Sequence, residues 1–379
     1  MAEERELVGI GIPFVAGVAV GAVLCPFLSE GLTLITDLIL LSLICITTIA
    51  VRFDKLSDRK GILSKERITF AGIFMVAGIF CSLNSSMASG IPEYDSGLIS
   101  QTAEKAVRHL RRVIDSIPYP SETTAPLAKA LLTGDKSDLP KEITGIFRDS
   151  GASHILALSG LHLGVLYLIL TRLTIPLGNS RRARGLRYSL IIGAALFYST
   201  MTGAAPSIIR AFLFITINET AKLLGRKREP VRVLLAALTI QLALKPDVIS
   251  SVGFQLSYMA MAGIFLLYPT LERIYPAPSG TKLSRFNPFR KIWNAAMLSI
   301  SCQIFTGPIA WHYFHTFPKY FILTNLIALP LTSAIMTLSV ATIALSFFGI
   351  CPEPLVILND HAVQALVFCL RVISGLDTP

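Results

Sequence analysis

Charged side chains are scarce in this chain and make up 15% of its 379 residues. Soluble domains carry roughly a quarter charged residues, so the composition excludes an ordinary soluble protein. Hydrophobic residues make up 53%, in repeated apolar runs of about 20 residues that can cross roughly 30 Å of hydrocarbon. The runs are continuous rather than alternating, which argues against a β-barrel. We predict an all-α, polytopic transmembrane helical protein with about 10–11 spans and short interfacial helices.

Cysteine motifs are also missing. None of the six cysteines forms a Cys-x-x-Cys pair, and all lie in or beside apolar runs, so we interpret them as packing thiols without a disulfide or metal framework. They are Cys25, Cys45, Cys81, Cys302, Cys351 and Cys369. We predict no cofactor and no bound metal. The acidic start at residues 1–6 does not resemble a secretory signal, so we expect the first apolar run to be retained.

Basic residues predict the membrane topology. With the N-terminus inside, the loops at 52–67, 172–187, 225–232 and 271–291 face the cytoplasm and hold twenty of the 34 Lys and Arg residues. Cytoplasmic loops usually carry such an excess, which explains the net charge of +10 without nucleic acid. The apolar segments are roughly 8–28, 31–51, 68–89, 152–171, 188–204, 207–224, 231–248, 251–268, 292–311, 321–349 and 355–374. Their odd number places the C-terminus outside.

Three regions follow from this threading. Residues 1–90 form an N-terminal three-helix membrane region, 91–148 an extracytoplasmic or interfacial helical segment, and 149–379 the transmembrane core. Within the middle region we predict helices at 100–117 and 126–132, a turn at 134–136 and a third helix from about 139. These helices are too short or too polar to span, so we expect them at the interface.

The most unusual segment is the apolar run at 152–171, which contains His154, Ser159 and His162. Polar groups in hydrocarbon cost several kcal/mol unless they have partners or face water. As a continuous helix, the run would place both histidines on one face, and Gly160 with Gly164 would admit a close neighbour. A pore-lining role and a packed helix contact with satisfied histidines are both consistent with this pattern. A metal site and a serine hydrolase fit less well.

Further polar residues occur in the other apolar runs. Arg210 and Glu219 lie in the run 207–224, where each is either functional or paired with another helix. Single amides or hydroxyls in other runs usually make interhelical hydrogen bonds. They include Gln241, Gln255, Ser257, Gln303 and Asn325. Together with the histidines they predict a polar interior shared by several helices, as in a transport path. The run 321–349 is long enough to be one tilted helix or a broken one.

The order of several motifs resembles the competence DNA-translocation channel family, ComEC. The matching elements are Leu131-Leu132-Thr133-Gly134-Asp135-Lys136, the stretch from Phe147 through Asp149 and His154 to Ser159-Gly160-Leu161-His162, Pro206 with Arg210-Ala211, Gly225-Arg226, Pro246 with Ser251 to Ser257, Gln303 with Pro308, and Asn325-Leu326 with Leu329-Pro330. They appear in family order over about 125–335. The element around Ser159-Gly160-Leu161-His162 is specific to this family. The occurrence of all the elements in the same order is stronger evidence for the resemblance.

The resemblance implies a channel in the bacterial cytoplasmic membrane that moves single-stranded DNA inward during natural transformation. It implies pore residues His154, Ser159, Gly160, His162, Arg210, Glu219, Gln255, Ser257, Gln303 and Asn325, and outer-loop residues Gly134, Asp135 and Asp149. The expected partners are single-stranded DNA, the lipid bilayer and separate DNA-binding or nuclease proteins, and a homo-oligomer is possible. Because the chain has no Walker A pattern, we expect a separate cytoplasmic motor.

Members of this family often carry two further parts, an extracytoplasmic barrel of the OB type and a metallo-β-lactamase-like domain. Only about ten residues separate Gly90 from the first interfacial helix, and no His-x-His-x-Asp-His motif precedes Pro379, so nuclease activity is not carried over. We expect a channel rather than an enzyme. The alternatives are a transporter of another polar or anionic solute, a divergent or truncated paralogue without DNA transport, and a membrane hydrolase using Ser159 and His162.

Overall fold

A computed structural model describes residues 2–24, 62–88, 98–178, 180–275, 288–315 and 317–376. Helix α1 is Ala2–Leu24, α2 Ile62–Ala88, α3 Leu98–Ser116, α4 Thr124–Thr133, α5 Lys141–Asp149, α6 Ser153–Leu156, α7 Gly160–Leu173 and α8 Arg181–Met201. Helix α9 is Pro206–Leu223, α10 Pro230–Leu244, α11 Val252–Leu266, α12 Tyr268–Glu272, α13 Pro288–Phe314, α14 Phe321–Ser346 and α15 Glu353–Gly375. Short 3-10 turns lie at Ile175–Leu177 and Pro246–Ser250. The predicted all-α, membrane-spanning class is confirmed.

Four stretches of the described residues are long and apolar enough to cross a membrane. They are Gly160–Leu177, Val252–Glu272, Phe321–Ser346 and Glu353–Gly375. Shorter apolar helices lie at Gly9–Leu24, Ala71–Ser85 and Pro230–Leu244. The predicted segments at 188–204, 207–224 and 292–311 are also helical, whereas the one at 31–51 lies outside the described residues.

Contacts divide the chain into two units. One comprises Met1–Ser96 with Thr220–Tyr258, and the other Gly97–Glu219 with Met259–Pro379. These boundaries differ from the three regions that we predicted, which remain a prediction.

Glycines allow α1 and α2 to pack very closely in the first unit. A Cβ at Gly17 would lie 1.9 Å from the Met75 carbonyl oxygen, and one at Gly78 would lie 2.2 Å from the Phe14 carbonyl oxygen. Small residues let helix backbones approach in this way in membranes, where lipid tails give apolar side chains little reason to associate. Larger residues at either glycine would force the two helices apart.

The core of the second unit joins the short helices α4 and α5 to the last two long apolar helices. Leu127 of α4 and Phe147 of α5 are fully buried together with Ile335 of α14 and Leu366 of α15. Burying a large apolar side chain contributes about 1.5–3 kcal/mol relative to leaving it exposed. The short helices α4 and α5 therefore form part of this core as well as any interfacial surface.

A buried carboxylate in α15 also holds the start of α4. Asp360 is 6% exposed, and it accepts hydrogen bonds from the Ser121 backbone N–H at 3.2 Å, from Ser121 Oγ at 2.7 Å and from Thr124 Oγ1 at 2.5 Å. The neighbouring Asn359 donates to Ser339 Oγ at 3.0 Å. The sequence gives no sign of either role. The partners of Asp360 lie more than 200 positions away in the chain, and the partner of Asn359 lies in another helix.

The long apolar run near the C-terminus is one helix. Helix α14 continues from Phe321 to Ser346 through Pro330, so of the two readings left open, the continuous helix is correct. Proline removes one backbone donor, yet transmembrane helices tolerate it when neighbours satisfy the freed carbonyl groups.

Candidate functional site

The helix predicted over 152–171 is broken near its start. Helix α6 ends at Leu156, Ala157 and Ser159 have extended backbone angles, and α7 begins at Gly160. The prediction that His154 and His162 share one helical face is therefore wrong, because the two residues belong to different helices. The break leaves the N-terminal N–H groups of α7 without partners inside that helix, as at any helix start.

Ser159 and His162 satisfy those groups by forming a capping box. Ser159 Oγ accepts from the Leu161 N–H at 3.3 Å, and His162 Nδ1 accepts from the Ser159 N–H at 3.1 Å. A capping box normally uses Glu or Gln at the third helical position, and here an imidazole takes that role. Ser159 and His162, the polar residues of this apolar run, thus fix the point where α7 begins.

His162 is buried, with 1% of its surface exposed. Since Nδ1 accepts a backbone hydrogen bond, the proton is assigned to Nε2, which has no hydrogen-bond partner among the described residues. Ser159 Oγ also lies 3.1 Å from His162 Nδ1, within reach for a nucleophile and its base. The one lone pair of Nδ1 already accepts the Ser159 backbone N–H, so the geometry favours capping over hydrolysis.

The loop after α4, which is part of the Leu131–Lys136 element, packs directly on the break between α6 and α7. Gly134 ends α4 with a positive φ of 77°, and a Cβ there would lie 2.5 Å from Leu158 Cδ1. Tyr198 of α8 donates its hydroxyl proton to the Leu132 carbonyl at 3.1 Å. The Leu131–Lys136 element and the Ser159–His162 element, separate in sequence, are thus neighbours in space.

Ion pairs hold the same loop to α3. Arg111 lies 2.9 Å from Asp135, and the buried Lys129 lies 2.5 Å from Asp115 and 2.6 Å from Asp138. Burial lowers the pKa of Lys129, but the hydrogen bonds and charges of the two carboxylates outweigh it and raise the pKa overall. Hydrogen bonds from Ser137, and then the Arg111 charge, lower the pKa of Asp135. The predicted outer-loop residue Asp135 is therefore part of a structural charge cluster.

Arg210 of α9 lies against the first residue of α7. A Cβ at Gly160 would be 2.7 Å from Arg210 Nη2 and 3.3 Å from Ala211 Cβ. The predicted close approach at Gly160 is thus observed, with the guanidinium group filling the space that a side chain would occupy. At Gly164 a Cβ would meet none of the described atoms within 4 Å, so that half of the predicted small-residue face is wrong. The guanidinium group of Arg210 thus lies beside the N-terminal end of α7.

The start of α14 and the residues just before it pack on the chain around Ser150 and Gly151, ahead of the break. Thr324 Oγ1 donates to the Ser150 carbonyl at 2.7 Å, and a Cβ at Gly151, whose φ is 78°, would lie 2.5 Å from Pro318 Cβ. His154 Nδ1 lies 3.1 Å from the Gly151 carbonyl, and the Asn325 side chain is close to the same ring. The structure therefore brings His154 and Asn325 together. Neither residue takes part in the capping box of Ser159 and His162.

Glu219 is buried and bonded to a residue that sequence analysis missed. The hydroxyl of Tyr167, on α7, donates to Glu219 Oε1 at 2.6 Å, and Glu219 is 6% exposed. Tyr167 lies five residues after His162 on the same helix, but an aromatic residue in an apolar run gives no sign of a polar partner. The contact ties the second half of α7 to α9.

The remaining predicted site residues lie elsewhere. Gln255 and Ser257 belong to the first unit, where the Gln255 amide donates to the Ile249 carbonyl at 3.0 Å. Asp149 lies on the surface and pairs with Arg148 at 3.0 Å. Gln303 faces an apolar groove in the second unit. In the part of the chain that the structure describes, no three His, Cys, Asp or Glu side chains gather closely enough to hold a metal ion.

Comparison with known proteins gives one family match. The model of the family described as "Competence protein" matches residues 131–379, which include every element of the site around α7. No solved structure resembles the chain closely enough to count as a match.

Three curated relatives cover parts of the chain. ComE operon protein 3 of Bacillus subtilis (strain 168) is 25% identical over 59% of this chain and 26% of its own length. Uncharacterized protein YcaI of Escherichia coli (strain K12) is 26% identical over 67% of the chain and 33% of its own length. An uncharacterized protein of Aquifex aeolicus (strain VF5) is 33% identical over 38% of the chain and 33% of its own length. The chain thus spans a quarter to a third of the length of these relatives.

Proposed function

The chain belongs to the competence protein family, and we propose that it forms the membrane core of a channel that moves single-stranded DNA inward during natural transformation. The observation that carries this proposal is the meeting of three family elements at the break before α7. Gly134 packs on Leu158, Ser159 and His162 cap the helix, and Arg210 lies on Gly160.

The electrostatics of this site suit an anionic polymer. The N-terminus of α7 carries roughly half a positive charge, and the guanidinium group of Arg210 adds a full one beside it. Single-stranded nucleic acid is generally bound by positively charged grooves that follow its phosphates. In our proposal, Arg210 and the start of α7 contact passing phosphate groups, while the capping box keeps the helix end in place.

The proposal extends to the surroundings of the channel. We place the protein in the bacterial cytoplasmic membrane with its N-terminus inside, because the basic loops predicted from the sequence are then cytoplasmic. A separate cytoplasmic motor supplies the energy, and separate proteins deliver and process the DNA. These partners are proposed from the family resemblance and from the sequence motifs.

Replacing Arg210 in a competent host tests the proposal. A strain lacking the protein would be complemented with the wild-type chain, with Arg210→Gln, or with Arg184→Gln as a control, since Arg184 is an exposed arginine outside the site. We expect Arg210→Gln to lower transformation frequency at least about tenfold, corresponding to the loss of one charge-assisted phosphate contact. Membrane levels of the three proteins would be compared by immunoblotting.

Labelled DNA separates uptake from later steps. With Arg210→Gln we expect fluorescent DNA to bind at the cell surface but to fail to become resistant to external nuclease. A strain without the protein that still transforms at the wild-type frequency would overturn the proposal.

The second candidate function is transport of another small anionic solute. The broken helix at 157–159 favours it, because transporters bind anionic groups at the N-termini of discontinuous helices. The sequence also allows such a break at 321–349, but the structure has a continuous helix there. Solute uptake by proteoliposomes of purified protein that single-stranded DNA does not inhibit would favour this candidate over a DNA channel.

A further inference from the structure

An open groove of about 590 Å³ runs along α13 in the second unit. Gln303, Ile304, Gly307 and Trp311 line it from α13, and Phe317, just before α14, and Phe321, at the start of α14, close it. Gly307 forms the floor, where a Cβ would lie 3.7 Å from both Gln303 Nε2 and Phe317 Cε2. The volume falls within the roughly 300–1,000 Å³ range of ligand-binding sites.

The groove lies at membrane depth. Helix α13 packs against the span Phe321–Ser346, and on another side a Cβ at Gly263 of the span Val252–Glu272 would lie 2.3 Å from the Ser301 carbonyl oxygen. A helix held this closely between two spans shares their surroundings. The exposed apolar side chains along it, including Ile304 and Trp311, are therefore surrounded by hydrocarbon rather than by water.

The dimensions of the groove match one leaflet. From Ile300 at one end to Trp311 at the other, the helix rises roughly 16 Å, compared with about 15 Å for half of a 30 Å hydrocarbon core. Trp311 is followed by the exposed Tyr313, and aromatic residues of this kind collect where the hydrocarbon meets the headgroups. The groove therefore runs from the interface towards the membrane centre.

The chemistry of the lining distinguishes a lipid from DNA. Among the described residues, no lysine, arginine or histidine lines the groove, so the phosphates of a nucleic acid would find no counter-charge in this lining. The aromatic rings and the aliphatic side chains match a hydrocarbon chain. Among the described lining residues, the Gln303 amide and the Trp311 indole N–H can donate a hydrogen bond to an ester carbonyl. Gln303 was predicted to lie on the transport path. Its position in this apolar lining instead suits contact with a lipid.

We propose that the groove between α13 and the start of α14 binds one acyl chain of a membrane phospholipid, which lies over Gly307 between Gln303 and the rings of Trp311, Phe317 and Phe321. A bound chain fills the gap between the two helices beside Pro308, which also lines the groove. The proposal does not depend on whether the channel carries DNA.

The two tryptophans of the chain allow a direct test. Trp293 is not among the residues that line the groove and donates to the Leu271 carbonyl at 3.4 Å, so Trp293→Phe leaves Trp311 as the sole tryptophan. This variant would be purified in excess detergent and titrated with a phospholipid carrying brominated acyl chains, which quench tryptophan on contact. We expect quenching that saturates near one lipid per chain. Quenching that rises linearly with lipid and never saturates would overturn the proposal.

Gly307 supplies the matched pair of variants. Leucine at this position would project into the groove, whereas alanine adds only a Cβ at ordinary contact distance. In the Trp293→Phe background we expect Gly307→Leu to weaken lipid binding about tenfold and Gly307→Ala to leave it unchanged. Equal quenching in both variants would contradict the proposal, as would displacement of the lipid by a single-stranded oligonucleotide, which would assign the groove to DNA. If Gly307→Leu does not fold, the saturation measured with Trp293→Phe alone decides.

Discussion

Gly134 and Leu158 are in direct contact, so that a Cβ at Gly134 would lie 2.5 Å from Leu158 Cδ1. The contact joins the end of α4 to the break between α6 and α7. Since Leu158 immediately precedes the capping residue Ser159, the position of the loop controls where α7 begins. Two stretches that are 24 positions apart in the chain therefore act as one structural element.

We predict that Gly134→Ala destabilises the protein more than a change of backbone conformation alone would. Left-handed backbone costs a non-glycine residue about 1–2 kcal/mol, and overpacking against Leu158 adds roughly 1–3 kcal/mol. Gly203→Ala is the matched control, because Gly203 also has a positive φ of 75° but no described atom within 4 Å of a Cβ. Thermal unfolding in detergent should show a clearly larger loss for Gly134→Ala. Equal losses would mean that the Leu158 contact carries no energy.

The sequence predicts the helices of this protein better than it predicts their contacts. Apolar runs and proline positions locate α13, α14 and α15 to within a few residues, because membrane spans need continuous hydrophobicity. The break at 157–159 was missed, since Ser159 is a capping residue that an apolar run conceals. The sequence identified motif residues such as Gly134 and Arg210, yet only the structure shows that one packs on Leu158 and the other on Gly160, at the same helix break. Tyr167 and Asp360 were missed because their roles depend on distant partners.

The ion pairs of Lys129 with Asp115 and Asp138, here called the Lys129 cluster, predict a specific dependence of stability on pH. The folded pKa of Asp138 lies below its ordinary 3.8, chiefly because of its hydrogen bond with Lys129, so its contribution is present above that value and is lost as pH falls further. The folded pKa of Lys129 lies above its ordinary 10.5, so its contribution is complete below 10.5 and is lost as pH rises through the folded value. The cluster therefore contributes constantly between these limits.

We predict that Lys129→Met lowers stability by about 1–2 kcal/mol at neutral pH, because the two carboxylates it leaves are half-exposed and stay hydrated. The variant should also flatten the acid and alkaline ends of the stability profile. Lys105→Met, at an exposed position of α3, is the control and should change neither. Unfolding measured across pH would contradict the assignment if Lys129→Met kept the wild-type profile.

Asp360 provides a prediction about the join between α15 and α4. Asp360→Ala leaves the hydroxyls of Ser121 and Thr124 without their acceptor, and unsatisfied groups of this kind cost about 1–3 kcal/mol. Asp360→Asn keeps one acceptor oxygen and should lose less than half as much. Proteolysis of the 117–124 connection would report the change directly, with faster cleavage in Asp360→Ala than in Asp360→Asn. Equal cleavage of both variants and the wild type would show that Asp360 does not hold this connection.

Ser159 allows the capping role to be separated from a catalytic one. Ser159→Ala removes the acceptor for the Leu161 N–H and should cost about 1 kcal/mol, whereas Ser159→Thr keeps the oxygen and should cost less. A serine-directed covalent probe should label neither the wild type nor the variants. Labelling of the wild type that Ser159→Ala abolishes would instead assign the residue as a nucleophile.

Gly160 is the position where structure and proposed transport can be separated most cleanly. Alanine there would displace Arg210 Nη2, the far end of a flexible side chain, so the protein should fold with a loss of less than about 1 kcal/mol. The guanidinium group would nevertheless leave its place beside the start of α7, and transformation frequency should fall about tenfold. Gly164→Ala, on the same helix and with no described atom within 4 Å of its Cβ, should behave as the wild type in both measurements. A Gly160→Ala protein that is stable and transforms normally would show that the Arg210 position does not matter for transport. If stability and transformation fell together, the contact would be structural, and the phosphate-binding role that we propose for Arg210 would have to be abandoned.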